Sequence, residues 1–342
     1  MLFELPRFEH VDAKSIKEAV SIISQYGETA SLIAGGTDLL ALMKDRVSGP
    51  QFKIPEMIVN IKTIPEMNRI AYDKETGLSI GAGVTLNSLA TSDIINQKFS
   101  ILSTAAKLVA TTQIRNMGTV GGNLCQRPRC MYFRHPGFPC YLKGGRQCYA
   151  MAGEHRYYHA IVGYTRCVRT HPSDLAPALV ALKAKVVLAN IKGERQIPID
   201  EFYGESEGLA ENSLKSGEML TEIQVPNLPA ETYQLFLKRR IRHASDFAIV
   251  SVAAAGRISG GMCEDICVAL GGVAPIPFRA IAIEKIMNGN QFGENLVSQA
   301  EAASVEKARP LPKNRYKIDL TKALVKRALW SLWQESGGTT HL

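Results

Sequence analysis

The chain has 342 residues, enough for two domains with a core each, and its 46% hydrophobic and 21% charged residues are those of a globular protein, not a disordered one. Its net charge of +8 is spread along the chain apart from the run Lys238-Arg239-Arg240-Ile241-Arg242-His243, which a solvated surface, an acidic partner subunit or an anionic cofactor explains more simply than nucleic acid does. No stretch approaches the roughly 18 to 20 apolar residues of a membrane span and no signal-peptide pattern opens the chain, so the expected location is cytoplasmic, or periplasmic only if a partner with its own signal carries it.

From the N-terminus, Asp12 is expected to cap a helix whose residues Ile16, Ala19, Val20 and Ile23 share one buried face and which stops at Gly27. A strand then runs through Ser31, Leu32 and Ile33 into the turn Ala34-Gly35-Gly36-Thr37-Asp38-Leu39, followed by a helix ending near Lys44. Two residues without Cβ let backbone N–H groups approach a ligand closely, and a helix N-terminus behind them favours a diphosphate. The Gly-x-Gly-x-x-Gly spacing of dinucleotide folds is absent, so this turn taken alone favours an unliganded strand-to-helix bend.

Residues Met57 to Ile61 and Leu78 to Val84 predict strands, and Thr85 to Ile95 and Ser100 to Ala110 predict helices, a mixture that reads as α+β. A second glycine turn follows at Gly118-Thr119-Val120-Gly121-Gly122-Asn123. Two such turns say more than one: a long cofactor such as FAD needs backbone contacts spread along its length.

The next segment, about 125–168, loses its apolar rhythm and carries Cys130, Cys140, Cys148 and Cys167 with spacing x9, x7 and x18, closed by Thr170-His171-Pro172-Ser173-Asp174. This is neither the paired Cys-x2-Cys of a zinc ribbon nor a compact ferredoxin run. Yet a long irregular loop inside a compact domain is commonly functional, and four thiolates on a metal centre would supply the order its sequence lacks. Free thiols, two disulfides and structural zinc remain open from spacing alone. His135, His155, His159 and His171 lie near but are read as surface or hydrogen-bonding residues, and Cys263 and Cys267 as small buried hydrophobes.

Leu175 to Leu182 predicts a helix, Lys185 to Ala189 and Arg195 to Ile199 a hairpin round Gly193, and Leu220 to Val225 a strand ended by Pro226 and Pro229. That proline pair is the expected boundary between domains at 1–228 and 229–342. In the second, Phe247 to Ala255 and Ile266 to Ala274 predict buried strands, and Leu320, Leu324, Ala328, Leu329 and Leu332 the stripe of a helix.

Taken together, the two glycine turns, Ser173-Asp174-Leu175-Ala176-Pro177-Ala178 and Ala269-Leu270-Gly271-Gly272-Val273-Ala274 resemble, in order and over nearly the whole chain, the FAD-binding medium subunit of the xanthine dehydrogenase family of molybdenum hydroxylases. The cysteine loop is similar to that of a subgroup whose flavin subunit carries an additional 4Fe-4S cluster, as in 4-hydroxybenzoyl-CoA reductase and periplasmic aldehyde oxidoreductase. The resemblance implies a two-lobed FAD domain of the vanillyl-alcohol oxidase and p-cresol methylhydroxylase type, followed by a small α+β C-terminal domain of the CO dehydrogenase flavoprotein type. It implies FAD held by Ser31, Leu32, Ile33, Ala34, Gly35, Gly36, Thr37, Asp38, Leu39, Thr119, Gly122 and Asn123, with Asp174 at the ribityl or ring end. Lys238, in a Lys-x3-Arg-x3-Asp pattern with Arg242 and Asp246, would lie beside the isoalloxazine. The cluster ligands would be Cys130, Cys140, Cys148 and Cys167, with Cys125 a spare buried thiol.

The implied function is electron transfer between an iron–sulfur subunit and an external acceptor or donor. The implied partners are a large molybdopterin-binding catalytic subunit and a small subunit with two 2Fe-2S clusters. Residue chemistry alone leaves bland alternatives: Asp174 as a helix N-cap, Lys238 as a solvated strand edge, and the chain as a self-sufficient flavin oxidase with a structural zinc loop or as a non-catalytic assembly subunit. Arg127, Arg129, Arg134 and Arg146 crowd the cysteines and are expected to raise a cluster's potential.

Overall fold

The structure, a computed structural model, describes residues 4–204, 209–243 and 245–339. Strands β1 (Glu9–Asp12), β2 (Ala30–Ile33) and β3 (Met57–Asn60) form a parallel sheet in the order β1-β3-β2. Strands β4 (Ile70–Asp73), β5 (Gly77–Gly81), β6 (Lys185–Asn190), β7 (Gly193–Pro198) and β8 (Met219–Val225) form an antiparallel sheet, β4-β5-β8-β6-β7. After the connection that holds Pro226 and Pro229, β9 (Tyr233–Arg239), β10 (Val250–Ser259), β11 (Met262–Gly271) and β12 (Phe278–Arg279) make a second antiparallel sheet, β12-β11-β10-β9. One small parallel sheet alternates with helices and the two larger sheets are antiparallel, so the fold is α+β.

The apolar packing divides into three cores. Val59, Ile80 and Ile223 from the first two sheets share a core with the helices between them. Strands β9 and β10 pack against the long helix Lys317–Glu335, and Val252, Leu270, Val325 and Leu329 share their core. A third, smaller core surrounds the cysteine loop, where Phe133, Leu142 and Val168 close over Cys130 and Cys140. The helix Leu175–Ala181 is buried at every position because it lies between the helix Ser100–Lys107 and strands β10 and β11, joining the two halves of the chain.

Several expectations shift in detail. The first helix, Ile16–Tyr26, is capped by Ser15, whose Oγ accepts the Glu18 N–H at 3.1 Å; Asp12 instead ends β1 and accepts Asn60 Nδ2 at 2.7 Å. Thr85 to Ile95 is not one helix, because Ser92 is extended and separates Leu86–Thr91 from Asp93–Lys98. In the last helix, Val325 and Thr321 take the buried positions with Ala328, Leu329 and Leu332, whereas Leu320 and Leu324 lie at the half-buried edge. The hairpin pairs Asn190 with Gly193, whose φ of +129° suits glycine alone.

Candidate functional site

The two glycine turns meet. A Cβ on Gly35 would lie 2.1 Å from the carbonyl oxygen of Met117 and 2.9 Å from Gly118 Cα, so this contact of backbone with backbone requires glycine. Gly36 supplies the left-handed bend, φ +68°, that turns β2 into the helix Leu39–Lys44. Beside the junction opens a cleft of about 530 Å³, lined by every residue from Ser31 to Leu39 and by Thr119, Gly122 and Asn123. All twelve residues expected to hold the long arm of a cofactor are therefore on one wall system.

The two turns offer different chemistry. In the first, among the described residues, the N–H groups of Gly35, Gly36 and Thr37 donate to no protein acceptor, which leaves them for an anion. In the second, side chains are already committed: Thr119 Oγ1 accepts the Gly122 N–H at 3.1 Å as a helix cap, and Asn123 Oδ1 accepts Ser173 Oγ at 2.5 Å. Gly122 is exposed to the cleft, and a Cβ there would meet only Thr119 Oγ1, at 3.0 Å. Bare backbone at that point forms a cradle that a side chain would fill. Val109, Ala110, Thr111, Ile114, Phe52 and Ile54 add apolar wall, which an aromatic ring system needs. None carries a sequence signature of ligand contact, and only assembly of the fold reveals them.

Asp38 turns its carboxylate away from these amides toward the cysteine loop. Its Oδ1 accepts from Arg129 at 2.9 Å and Arg134 at 2.7 Å, and its Oδ2 accepts the Arg127 N–H at 2.8 Å. Burial pushes this carboxyl up, but the two guanidiniums and the backbone bond outweigh it and hold it below the usual carboxylate range. Arg127 in turn pairs with the half-buried Glu211 at 2.6 Å, whose carboxyl is raised by desolvation despite that partner. The expected field of four arginines on the sulfurs is therefore corrected: Arg127, Arg129 and Arg134 are committed to carboxylates, and Arg146 is exposed. Arg127 and Arg129 line the cleft, and Arg129 stacks at 4.6 Å on Phe247, a second-domain residue that also lines it.

Asp174 and Lys238 stand behind that end of the cleft, not on its wall. Their side chains form an ion pair of 2.5 Å, only 4% and 1% exposed, and Lys238 also donates to the Leu108 carbonyl at 3.0 Å. Burial raises the Asp174 carboxyl, and Lys238 opposes it. Lys238 is thus no solvated strand edge. Asp174 is no side-chain cap either, for Ser173 Oγ accepts the Ala176 N–H at 3.0 Å and does that work. A small cavity touching Asp174 is shared with Arg129 and Phe247, which reach the main cleft. Within the Lys-x3-Arg-x3-Asp pattern, Asp246 organises the loop by accepting from Tyr158 Oη at 2.5 Å and from the Arg242 N–H at 3.1 Å, while the Arg242 side chain is 71% exposed.

The four expected ligand cysteines, 37 positions apart at their extremes, come together in the third core. All seven cysteines of the chain are free thiols, so the disulfide alternative falls. Among the described residues, no group of three or more His, Cys, Asp or Glu side chains stands in metal-ligand geometry. What the loop does bring together is donors to sulfur. The N–H groups of Tyr132 and Phe133 point at Cys130, those of Ala150, Met151 and Val168 at Cys148, and that of Arg169 at Cys167. The Cys148 thiol, hydrogen-bonded to Cys167, is drawn down to about 6, while burial pushes Cys130 up to about 11. Cys148 and Cys167 are thus hydrogen-bonded to each other, and backbone amides that stabilise negative sulfur face three of the four thiols.

The histidines are mostly interior. His159 Nε2 lies 3.4 Å from Cys130 Sγ and is driven to about 4 by burial, so its ring is neutral; His155 Nδ1 bonds the Ala150 carbonyl at 2.8 Å; His171 is buried and His135 exposed. Cys125 is half-buried on the cleft wall, not hidden, and Cys267 is buried with its thiol donating to Glu284 at 3.2 Å. Lys143 is fully buried beside Cys140 and Cys130, and sequence reasoning passed over it because a lysine in an irregular loop ordinarily faces water.

Comparison with known proteins agrees with this geometry. The family described as the FAD binding domain in molybdopterin dehydrogenase matches residues 6–228, and the CO dehydrogenase flavoprotein C-terminal domain matches 236–332. The chain is 31% identical over 333 residues to the carbon monoxide dehydrogenase medium chain of Hydrogenophaga pseudoflava, covering 96% of this chain and 98% of that one. It is 34% identical over 313 residues to the aldehyde oxidoreductase FAD-binding subunit of Escherichia coli, covering 90% and 91%. A solved carbon monoxide dehydrogenase from Hydrogenophaga pseudoflava superposes with a TM-score of 0.78 at 30% identity, over 97% of this chain and 99% of that one.

Proposed function

We propose, from the premise that this chain belongs to the family of FAD-binding medium subunits of molybdenum hydroxylases, that it passes electrons between FAD and a 4Fe-4S cluster on behalf of a large molybdopterin-binding subunit. A small subunit with two 2Fe-2S clusters would stand between the two, and an external acceptor or donor would meet the flavin. Bound together, flavin and cluster would supply exchange between two-electron and one-electron carriers.

The chain's own residues prepare the cleft for that role. The unpartnered amides of Gly35, Gly36 and Thr37 would take the diphosphate, and bare Gly122 admits it closely. Phe247 and Arg129 would cover the far end, backed by the buried Lys238–Asp174 pair. Cys130, Cys140, Cys148 and Cys167 would hold the iron. The observation that carries the reading is adjacency: Asp38, in the first glycine turn, grips the loop through Arg127, Arg129 and Arg134, and Arg129 on the cleft wall is followed in sequence by Cys130. Sulfur site and flavin cleft are built as neighbours.

The test is anaerobic purification of the chain with its co-expressed partners and measurement of flavin, iron and acid-labile sulfide. One FAD with four irons and four sulfides per chain is expected, retained when the other subunits are stripped away. Flavin with zinc and no sulfide would favour the self-sufficient oxidase, and absence of both chromophores would end the proposal.

A further inference from the structure

We infer that the cysteine loop holds one wall of the flavin cleft: Arg127 and Phe133 clamp the segment between the helix Leu39–Lys44 and strand β3 in its FAD-binding shape, so order in the loop sets flavin affinity. The inference rests on the flavin reading of the cleft and is independent of any metal in the loop. Phe52, Lys53, Ile54 and Pro55 of that segment line the cleft. Phe52 is partly buried against the third core, to which Phe133 belongs. The contact is a stack of three groups. The Arg127 guanidinium lies 4.6 Å from the centre of the Phe52 ring and 5.2 Å from that of Phe133, and the two rings meet edge to face at 5.4 Å. Arg127 is itself fixed, by Asp38 at its N–H and by Glu211 at its guanidinium.

Backbone completes the clamp. Gly49 and Phe52 close a tight turn with N–H to carbonyl bonds of 2.8 and 3.0 Å, and the Gln51 N–H inside that turn donates to the Lys143 carbonyl at 3.1 Å. A Cβ on Gly49 would overlap the same carbonyl oxygen, so the turn sits directly on the loop. Among the described residues, every hydrogen bond and ring contact that residues 49–52 make outside their own turn goes to the cysteine loop. The strand part of the wall needs no such help, because Ser31, Leu32 and Ile33 pair with β3. Residues 49–55 belong to no helix or strand, and ordering such a segment costs conformational entropy. When only a fraction of molecules holds the binding shape, apparent affinity falls by that fraction, and a clamp set before the ligand arrives removes the loss. The coupling is reciprocal: bound FAD must order the loop in return.

The deciding variants are Gly49→Ala and Phe133→Leu, because neither residue lines the cleft and neither change touches a ligand contact. The first drives a methyl at the Lys143 carbonyl and lifts the turn off the loop; the second keeps the third core apolar but removes the ring that Arg127 and Phe52 share. The experiment is titration of the flavin-stripped full chain with FAD by fluorescence quenching, with circular dichroism as the check on folding. Each variant should bind FAD about tenfold more weakly, as expected when about a tenth of the molecules keep the wall in place. In wild type, saturating FAD should slow tryptic cutting between residues 127 and 168 by about fivefold or more, and in Gly49→Ala this protection should be lost. Wild-type affinity in folded Gly49→Ala or folded Phe133→Leu would overturn the inference, and so would equal protection in wild type and Gly49→Ala. Should Phe133→Leu fail to fold, Gly49→Ala decides. Gly49→Ala that stays unfolded even with FAD would also overturn it, the turn then serving the fold and not the cleft. A wild-type chain that takes up no FAD would sink the flavin reading of the cleft itself, a separate result.

Discussion

Two glycine-to-alanine substitutions separate the cleft's architecture from its occupancy. A Cβ at position 122 meets only Thr119 Oγ1, at 3.0 Å, so a shift of a few tenths of an ångström accommodates it. The residue lies within the short helix Val120–Leu124, where alanine is favoured over glycine by up to about 1 kcal/mol. Gly122→Ala should therefore leave the apoprotein as stable as wild type or slightly more so. The methyl would stand on the wall where backbone must approach the cofactor, and FAD affinity should fall at least tenfold, about 1.4 kcal/mol. Gly35→Ala should behave oppositely. Its Cβ would overlap backbone atoms of Met117 at 2.1 and 2.6 Å, which no rotamer change relieves, so the turns must part at a cost of about 1–3 kcal/mol or more. Urea unfolding of both apoproteins and titration of FAD by quenching of its fluorescence provide the measurements. Wild-type affinity in Gly122→Ala, or undiminished stability in Gly35→Ala, would refute this account of the cleft.

Asp38→Asn removes a charge that two guanidiniums share, and the roughly 3–5 kcal/mol lost when a buried pair is broken should be reached only at its low end, because the Asp38 side chain is 19% exposed. Denaturant unfolding should report a loss of about 3 kcal/mol, together with faster proteolytic cutting between residues 127 and 168; a loss under about 0.5 kcal/mol would mean the latch is idle. Glu218 gives a pH test: its bonds to Arg195, with help from the Lys215 N–H, hold it at about 2 against an ordinary 4.5, so the unfolded chain binds more protons in between. That stabilisation is complete above about pH 4.5 and fades as pH falls toward 2. With Arg195 32% exposed, the contribution should be about 1–2 kcal/mol, seen as a gap between wild type and Glu218→Gln that closes on acidification; a gap independent of pH would count against it.

Sequence made the glycine turns legible because glycine answers a local question, where backbone must bend or come close, and local questions can be read from neighbours. The hairpin round Gly193 and the buried helix Leu175–Ala181 were readable for the same reason. Caps were less so: Ser15 and Ser173 do what Asp12 and Asp174 seemed suited to do, since all four side chains can accept an amide and only the helix start decides between them. The destinations of charge were not readable at all. Asp38 finds Arg127 and Arg134 across 89 and 96 positions, and nothing in the residue types distinguishes a guanidinium aimed at a carboxylate from one aimed at sulfur. Clustered thiols could be expected from composition, but the amides that surround them are a property of the folded loop.

The cysteine loop cannot be a detachable addition to this fold. Removing it would leave the Asp38 carboxylate and that of Glu211 without the guanidiniums that neutralise them, and would bare Leu42 and Val47, which the third core covers. The same contacts fix where charge resides. Three guanidiniums face two carboxylates at the junction, so a positive excess remains on the cleft side, where Arg127 and Arg129 line the wall and a diphosphate would enter. On the far side of that junction Lys143 is buried, with its ammonium donating to the His135 carbonyl at 2.7 Å. Substitutions at Gly122 should consequently act on FAD affinity while leaving the cysteine loop alone, because the paired charges of Asp38 and its arginines lie between the two.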